Sequence, residues 1–219
     1  MQQISITKTK KFTYNDTMNF LAHLHLAQKA QSSLLGNLMA DFVRGNPDGL
    51  YSPDVVAGIT MHRQVDKFTD QHPIVINAKQ LFRPPYRRVA AITLDLVWDH
   101  FLALYWDQIE PKQTLPQFVH YARQQIEPNL YYTPEKFQEL NEYLWSQNWL
   151  IRYAEPEYMS DVLNSMARRR PKLVNLIGSF DDFILHYSRF SSFFWQFYPE
   201  MITFAKTQTA KTTLLNENK

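Results

Sequence analysis

Twelve prolines divide this chain into stretches whose apolar residues recur at helical spacing, and that punctuation points to an all-α fold. Proline lacks an N–H and its ring collides with the preceding turn, so it breaks a helix interior. It is well suited to the first helical turn, just after a capping residue. Ser52-Pro53-Asp54 has this form, with an acidic residue added to the first turn. Thr114-Leu115-Pro116-Gln117 has the spacing of a capping box. Thr133-Pro134-Glu135 opens a further helix, and Pro156 and Pro171 punctuate two more. The spacing predicts a helix from Asn19 to Ala30, with Phe20, Leu21, Leu24 and Ala27 on its apolar stripe. A second runs from Ser32 through Phe42 to the turn cluster Gly45-Asn46-Pro47-Asp48-Gly49. A third spans Pro53 to Asp70. Arg87 to Asp107 is the longest helix expected, and Ser188 to Phe204 is the last, interrupted near Pro199. Strand-type alternation and hairpin turns are scarce. No internal repeat or linker separates these segments, so they read as a single helical domain.

Composition narrows the chemistry. A chain of 219 residues is long enough to bury one substantial core without disulfides or a structural metal. It has no cysteine, which removes disulfide frameworks, thiolate metal sites and thiol nucleophiles, and which fits a cytoplasmic location. With 5 glycines it has neither a G-x-G-x-x-G nor a Walker phosphate loop. The 23 basic residues nearly balance the 21 acidic ones, which argues against a nucleic-acid binder. No apolar run reaches the roughly 18 residues of a membrane span. Residues 1–17 carry Lys8, Lys10 and Lys11 but no apolar segment. They read as a disordered tail, with Met18 an equally good start, and the polar end from Lys206 (206–219) is expected to fray.

The polar residues on helix faces lie mostly in the first half. His62, Asp66 and Asp70 follow one another at i, i+4 and i+8, hence on one face. Asn37 and Asp41 share the i, i+4 relation, as do Asp95 and Asp99, with His100 beside the latter. Asp95 and Asp99 sit in a stripe that also holds Ile92, Leu102 and Trp106. A buried carboxylate needs a positive partner or it becomes neutral. His23 and His25 point about 200° apart around their helix, so only one of them can reach a shared site. Imidazole and carboxylate without thiolate suit Mn²⁺, Fe²⁺, Mg²⁺ or Zn²⁺. Plain structural readings compete with this one. A His/Asp pair at i, i+4 also makes a surface salt bridge, Asp95 and Asp99 also suit a helix cap with a buried arginine, and His25 reads as structural. Arg83, Arg87 and Arg88, with Arg168, Arg169 and Arg170, read either as solvated helix ends or as a basic patch for an acidic partner.

Several long stretches have a familiar form. MNFLAHLHLA (18–27), GNLMADFVRGNP (36–47), GITMHRQVDKFTDQHP (58–73) and ITLDLVWDHFLALYW (92–106) resemble the acyl carrier protein phosphodiesterase, or acyl carrier protein hydrolase, family. NEYLWSQNWLIRY and LNSMARRRP extend the likeness, which covers residues 18–205. The resemblance implies a cytoplasmic, metal-dependent phosphodiesterase with a helical fold like that of the HD phosphohydrolases. Such enzymes release 4′-phosphopantetheine from a serine of holo-acyl carrier protein, with Mn²⁺ expected and Mg²⁺ or Fe²⁺ as alternatives.

The ordinary His-Asp doublet is missing. In its place stand His62-x-x-x-Asp66 and the inverted Asp99-His100. Roles therefore follow from spacing and chemistry: His23, Asp41, His62, Asp66 and Asp99 as metal ligands; His62 or His100 as general acid; Asp95 or Asp70 orienting a ligand; Asn37 positioning water or a phosphate oxygen. Acyl carrier proteins are acidic, so the resemblance makes the six arginines docking candidates for that partner, with no nucleic acid or membrane involved. A nucleotide phosphohydrolase and a non-catalytic carrier-binding module are the alternatives.

Overall fold

The computed structural model describes residues 20–217; the expected tail at 1–17 lies outside the described residues. Among the described residues the regular structure is helical throughout, in one all-α domain. The helices are α1 (Phe20–Lys29), α2 (Leu34–Met39), α3 (Pro53–Gln71), α4 (Pro73–Lys79), α5 (Ala90–Leu104) and α6 (Trp106–Ile109). There follow α7 (Leu115–Ile126), α8 (Glu135–Ser146), α9 (Trp149–Arg152), α10 (Pro156–Arg169), α11 (Leu176–Leu185) and α12 (Tyr187–Glu217). Helical 3₁₀ turns cover Ala40–Phe42, Pro84–Val89, Glu127–Tyr132 and Pro171–Leu173.

Local chemistry explains several starts. Thr114 and Gln117 make both halves of the capping box that opens α7. The Ser33 hydroxyl accepts the Gly36 N–H at the start of α2. Prolines stand in the first turn of α3, α4, α7 and α10, where their missing N–H costs nothing.

Two expectations are revised. The stretch 87–107 is not one helix. Pro84 and Pro85 start a 3₁₀ turn that runs to Val89, and Tyr105 leaves helical geometry between α5 and α6. Pro199 does not interrupt the last helix. It is exposed, so water can serve the carbonyl one turn earlier that the proline leaves without a donor. The same helix continues beyond Lys206 to Glu217, over a stretch with neither glycine nor proline.

Two features fix the α1–α2–α3 unit. The first is a glycine contact. A methyl group at Gly36 would overlap the Val55 carbonyl, and one at Gly58 would lie 2.9 Å from the Ser33 carbonyl. The backbones of α2 and α3 therefore touch, and Asp41 is carried across to His62. The second is a buried carboxylate from α5. Asp99 Oδ2 and Oδ1 accept the Leu21 and Ala22 N–H groups at 3.0 and 2.7 Å. These are first-turn amides with no partner inside their own helix. Elsewhere the core is aromatic, with Phe101 of α5 packed 5.1 Å from Tyr187 and 5.8 Å from Phe194, both on α12.

Candidate metal centre

The close packing of α1, α2 and α3 brings His23, Asp41, His62 and Asp66 together. The imidazoles of His23 and His62 stack with ring centres 3.8 Å apart and planes 22° from parallel. Asp66 reaches both, Oδ1 to His23 Nε2 at 3.1 Å and Oδ2 to His62 Nε2 at 3.1 Å. Asp41 Oδ1 lies 3.3 Å from the same nitrogen of His62. Both histidines are buried, whereas Asp66 keeps 36% of its side chain exposed and Asp41 keeps 21%, so the cluster opens to solvent on its acidic side.

The electrostatics are uneven. Burial opposes a charge on His62, but hydrogen bonds to Asp41 and Asp66 outweigh it and raise its pKa to about 10. Burial, together with the neighbouring His62, pushes His23 down. Burial also works against the Asp66 carboxylate, yet the two imidazoles hold it well below the usual range. At neutral pH one stacked ring is charged and the other is neutral, since two cations this close would repel.

This set fits a divalent cation. One ligand atom each from His23, His62 and Asp66 lies within 4.8 Å of the others. Both ring nitrogens of His23 and Nδ1 of His62 are buried without a hydrogen-bond partner. His23 Nε2 is close to Asp66 but out of hydrogen-bond alignment. Buried polar atoms left unsatisfied are costly, and nitrogen and carboxylate donors converging on one point are what a metal ion requires.

The other residues singled out in the sequence fall elsewhere or in supporting places. Asp99 stands outside the cluster, its oxygens committed to the amides that begin α1. Burial pushes its carboxyl up against those two bonds. Its effect on the cluster is indirect, through the placement of α1 and hence of His23. Asp95 is half-buried beside the cluster. Burial and the nearby carboxylates of Asp66, Asp99, Asp70 and Asp41 raise it well above the usual range. Asp70 is exposed and paired with Lys79 at 3.1 Å. His100 faces the opposite side of α5, its ring nitrogens 2.8 Å from the Tyr153 carbonyl and 2.8 Å from the Tyr187 hydroxyl. Asn37 is buried; its Nδ2 donates to Ser32 Oγ and the Ser33 carbonyl, and its Oδ1 is unpartnered.

The arginines also divide. Arg83 is committed to Asp182 of α11, through its backbone N–H at 2.7 Å and its Nε at 2.6 Å. Arg87, Arg88, Arg168 and Arg169 are exposed, and Arg170 is partly covered where α10 ends. Asp182 gives no signal in the sequence beyond a carboxylate in an apolar helix. A second buried network takes up His25, which the sequence reads as structural, with partners the sequence does not show: its Nδ1 lies 2.8 Å from the Tyr198 hydroxyl and its Nε2 lies 2.8 Å from Glu110. Hydrogen bonds from His25 and Lys29 hold Glu110 down to about 2, and burial keeps the Tyr198 phenol protonated. The donors then run Tyr198 to His25 to Glu110, tying α1 to α12.

Comparison with known proteins gives one consistent result. The family model described as acyl carrier protein phosphodiesterase matches residues 18–201. A protein of Photorhabdus laumondii named acyl carrier protein phosphodiesterase is 65% identical over 191 residues, 87% of this chain and 96% of its own. Proteins of the same name from Pectobacterium atrosepticum and Escherichia coli O157:H7 are 58% and 54% identical, covering 87% and 84% of this chain and 99% and 96% of theirs. No solved structure matches the chain.

Proposed function

The chain belongs to the acyl carrier protein phosphodiesterase family, and from that premise we propose that it hydrolyses the phosphodiester joining 4′-phosphopantetheine to a serine of holo-acyl carrier protein. The products are the apo-carrier and free 4′-phosphopantetheine. The observation that carries the reading is the stacked His23–His62 pair with unpartnered buried nitrogens, bracketed by Asp66 and Asp41. His23, His62 and Asp66 would hold a divalent cation, Mn²⁺ in our reading with Mg²⁺ or Fe²⁺ as alternatives, and Asp41 stands beside them.

When bound, the cation supplies Lewis acidity toward water and the phosphoryl group. The side chains supply the rest. Asp41 is part-exposed at the mouth of the cluster and is placed to take the proton of the attacking water. Asp95 replaces His100 as the proton donor in this reading. His100 is turned away toward Tyr153 and Tyr187, whereas burial and the neighbouring carboxylates favour the protonated form of Asp95, the form that can give a proton to the departing serine oxygen. The Asn37 contacts to Ser32 and Ser33 brace α2, which leads into the 3₁₀ turn that carries Asp41.

The test is mass spectrometry of holo-acyl carrier protein incubated with enzyme stripped of metal and with enzyme reloaded with Mn²⁺. Loss of the prosthetic group only with the reloaded enzyme is expected. An intact carrier under both conditions, or turnover confined to nucleotides, would overturn the proposal.

A further inference from the structure

The exposed ends of α10 and α11 form a face that the chemistry of the cluster does not use. Val174 is 56% and Ile177 is 48% exposed, at and just inside the start of α11. Such apolar groups usually sit singly on a surface; here they are neighbours, and cations from two distant parts of the chain flank them. Arg168 and Lys172 arrive from the end of α10 and the turn after it, both exposed. Arg87 and Arg88 arrive from the 3₁₀ turn before α5 and are exposed as well. Three contacts lock that turn against α11. Asn175 Nδ2 donates to the Pro85 carbonyl at 2.8 Å, Tyr86 lies over Gly178 so closely that a methyl group there would overlap its ring, and Arg83 is bound to Asp182.

The face is also connected to the helix beside the cluster. Arg88 stands in the 3₁₀ turn that leads directly into α5, the helix that carries Asp95. Ala91, in the first turn of α5, is exposed, and Asp95, one turn further on, is half-buried.

We infer that Val174 and Ile177, ringed by Arg87, Arg88, Arg168 and Lys172, dock an acidic amphipathic helix of the carrier-protein substrate. The cations call for carboxylates, and the apolar pair calls for one or two apolar side chains on the same helix face. The bond to be cut joins the carrier directly to its prosthetic group, so the carrier must contact the enzyme next to the cluster. The face adjoins the turn that leads into α5, the helix that carries Asp95 beside the cluster. This assignment rests on the proposed reaction, and it deepens it by naming where the protein substrate sits.

The experiment is a fluorescence-anisotropy titration of labelled apo-acyl carrier protein into the full chain at low and high salt. Arg88→Glu combined with Arg168→Glu should weaken binding by about tenfold or more at low salt, with the gap closing as salt rises. Ile177→Ser should weaken binding and leave the salt dependence as it was. Lys112→Glu combined with Lys136→Glu makes the same change in net charge on other surfaces and should leave affinity unchanged. Equal affinity for the wild type and the Arg88/Arg168 reversal, or an equal loss in the Lys112/Lys136 control, would overturn the docking face. Circular dichroism checks each fold; should Ile177→Ser unfold, Val174→Ser carries the same expectation. Phosphopantetheine release is followed separately. Intact, face-dependent binding without release counts against the hydrolase reading, and release with no effect of the reversals counts against the face.

Discussion

Replacing Asp99 separates two roles for a buried carboxylate. As a metal ligand, it would be dispensable for folding, and Asp99→Ala would keep its melting temperature in metal-free buffer. The structure instead has both oxygens accepting first-turn amides of α1 at 3.0 and 2.7 Å. Removing them leaves two buried N–H groups unsatisfied, at about 1–3 kcal/mol each. Relief of the buried charge offsets part of this gross cost of about 2–6 kcal/mol, so a net loss of about 1–4 kcal/mol follows. In a protein of this length, 1 kcal/mol moves Tm by roughly 2–4 °C, which gives a drop of about 2 °C or more. Asp99→Asn keeps one acceptor but turns an NH₂ toward the other amide, so its loss should fall between the wild type and Asp99→Ala. The assay is thermal unfolding followed at 222 nm, without metal and then with Mn²⁺. A metal-free melting curve for Asp99→Ala that overlays the wild type would refute the capping argument.

Three further outcomes follow from the same packing. Gly36→Ala places a methyl group against the Val55 carbonyl and should cost about 1–3 kcal/mol by chemical denaturation; an unchanged midpoint would mean that α2 and α3 do not touch there. His23→Ala should keep the helical circular dichroism while weakening Mn²⁺ binding by more than about tenfold in calorimetric titration, and retained affinity would remove His23 from the ligand set. Glu110 is held at about 2, below its ordinary 4.5, so its stabilisation is complete above pH 4.5 and is lost as pH falls toward 2. Glu110→Gln should therefore unfold more readily than the wild type at neutral pH, and the gap should close near pH 2; a gap independent of pH would contradict the ionised Glu110–His25–Lys29 arrangement.

The sequence by itself determined that the chain is helical and roughly where most helices begin. Proline placement, Thr114 with Gln117, and 3.6-residue apolar spacing act within a few residues of one another, so no distant contact is needed to read them. It also brought His62 and Asp66 onto one face, because an i, i+4 relation is a property of any helix. Only the tertiary structure decided which faces meet. Asp41 joins His62 because Gly36 and Gly58 let the backbones of α2 and α3 touch, and His23 joins it because α1 packs alongside with its first amides held by Asp99; neither contact has a local signature. Asp99 and His100 are adjacent in sequence, yet about 100° of helical rotation sends one to the amides of α1 and the other to Tyr153 and Tyr187. Periodicity shows that two side chains point apart; what waits in each direction depends on helices tens of residues away, and that is fixed only by how the whole core packs.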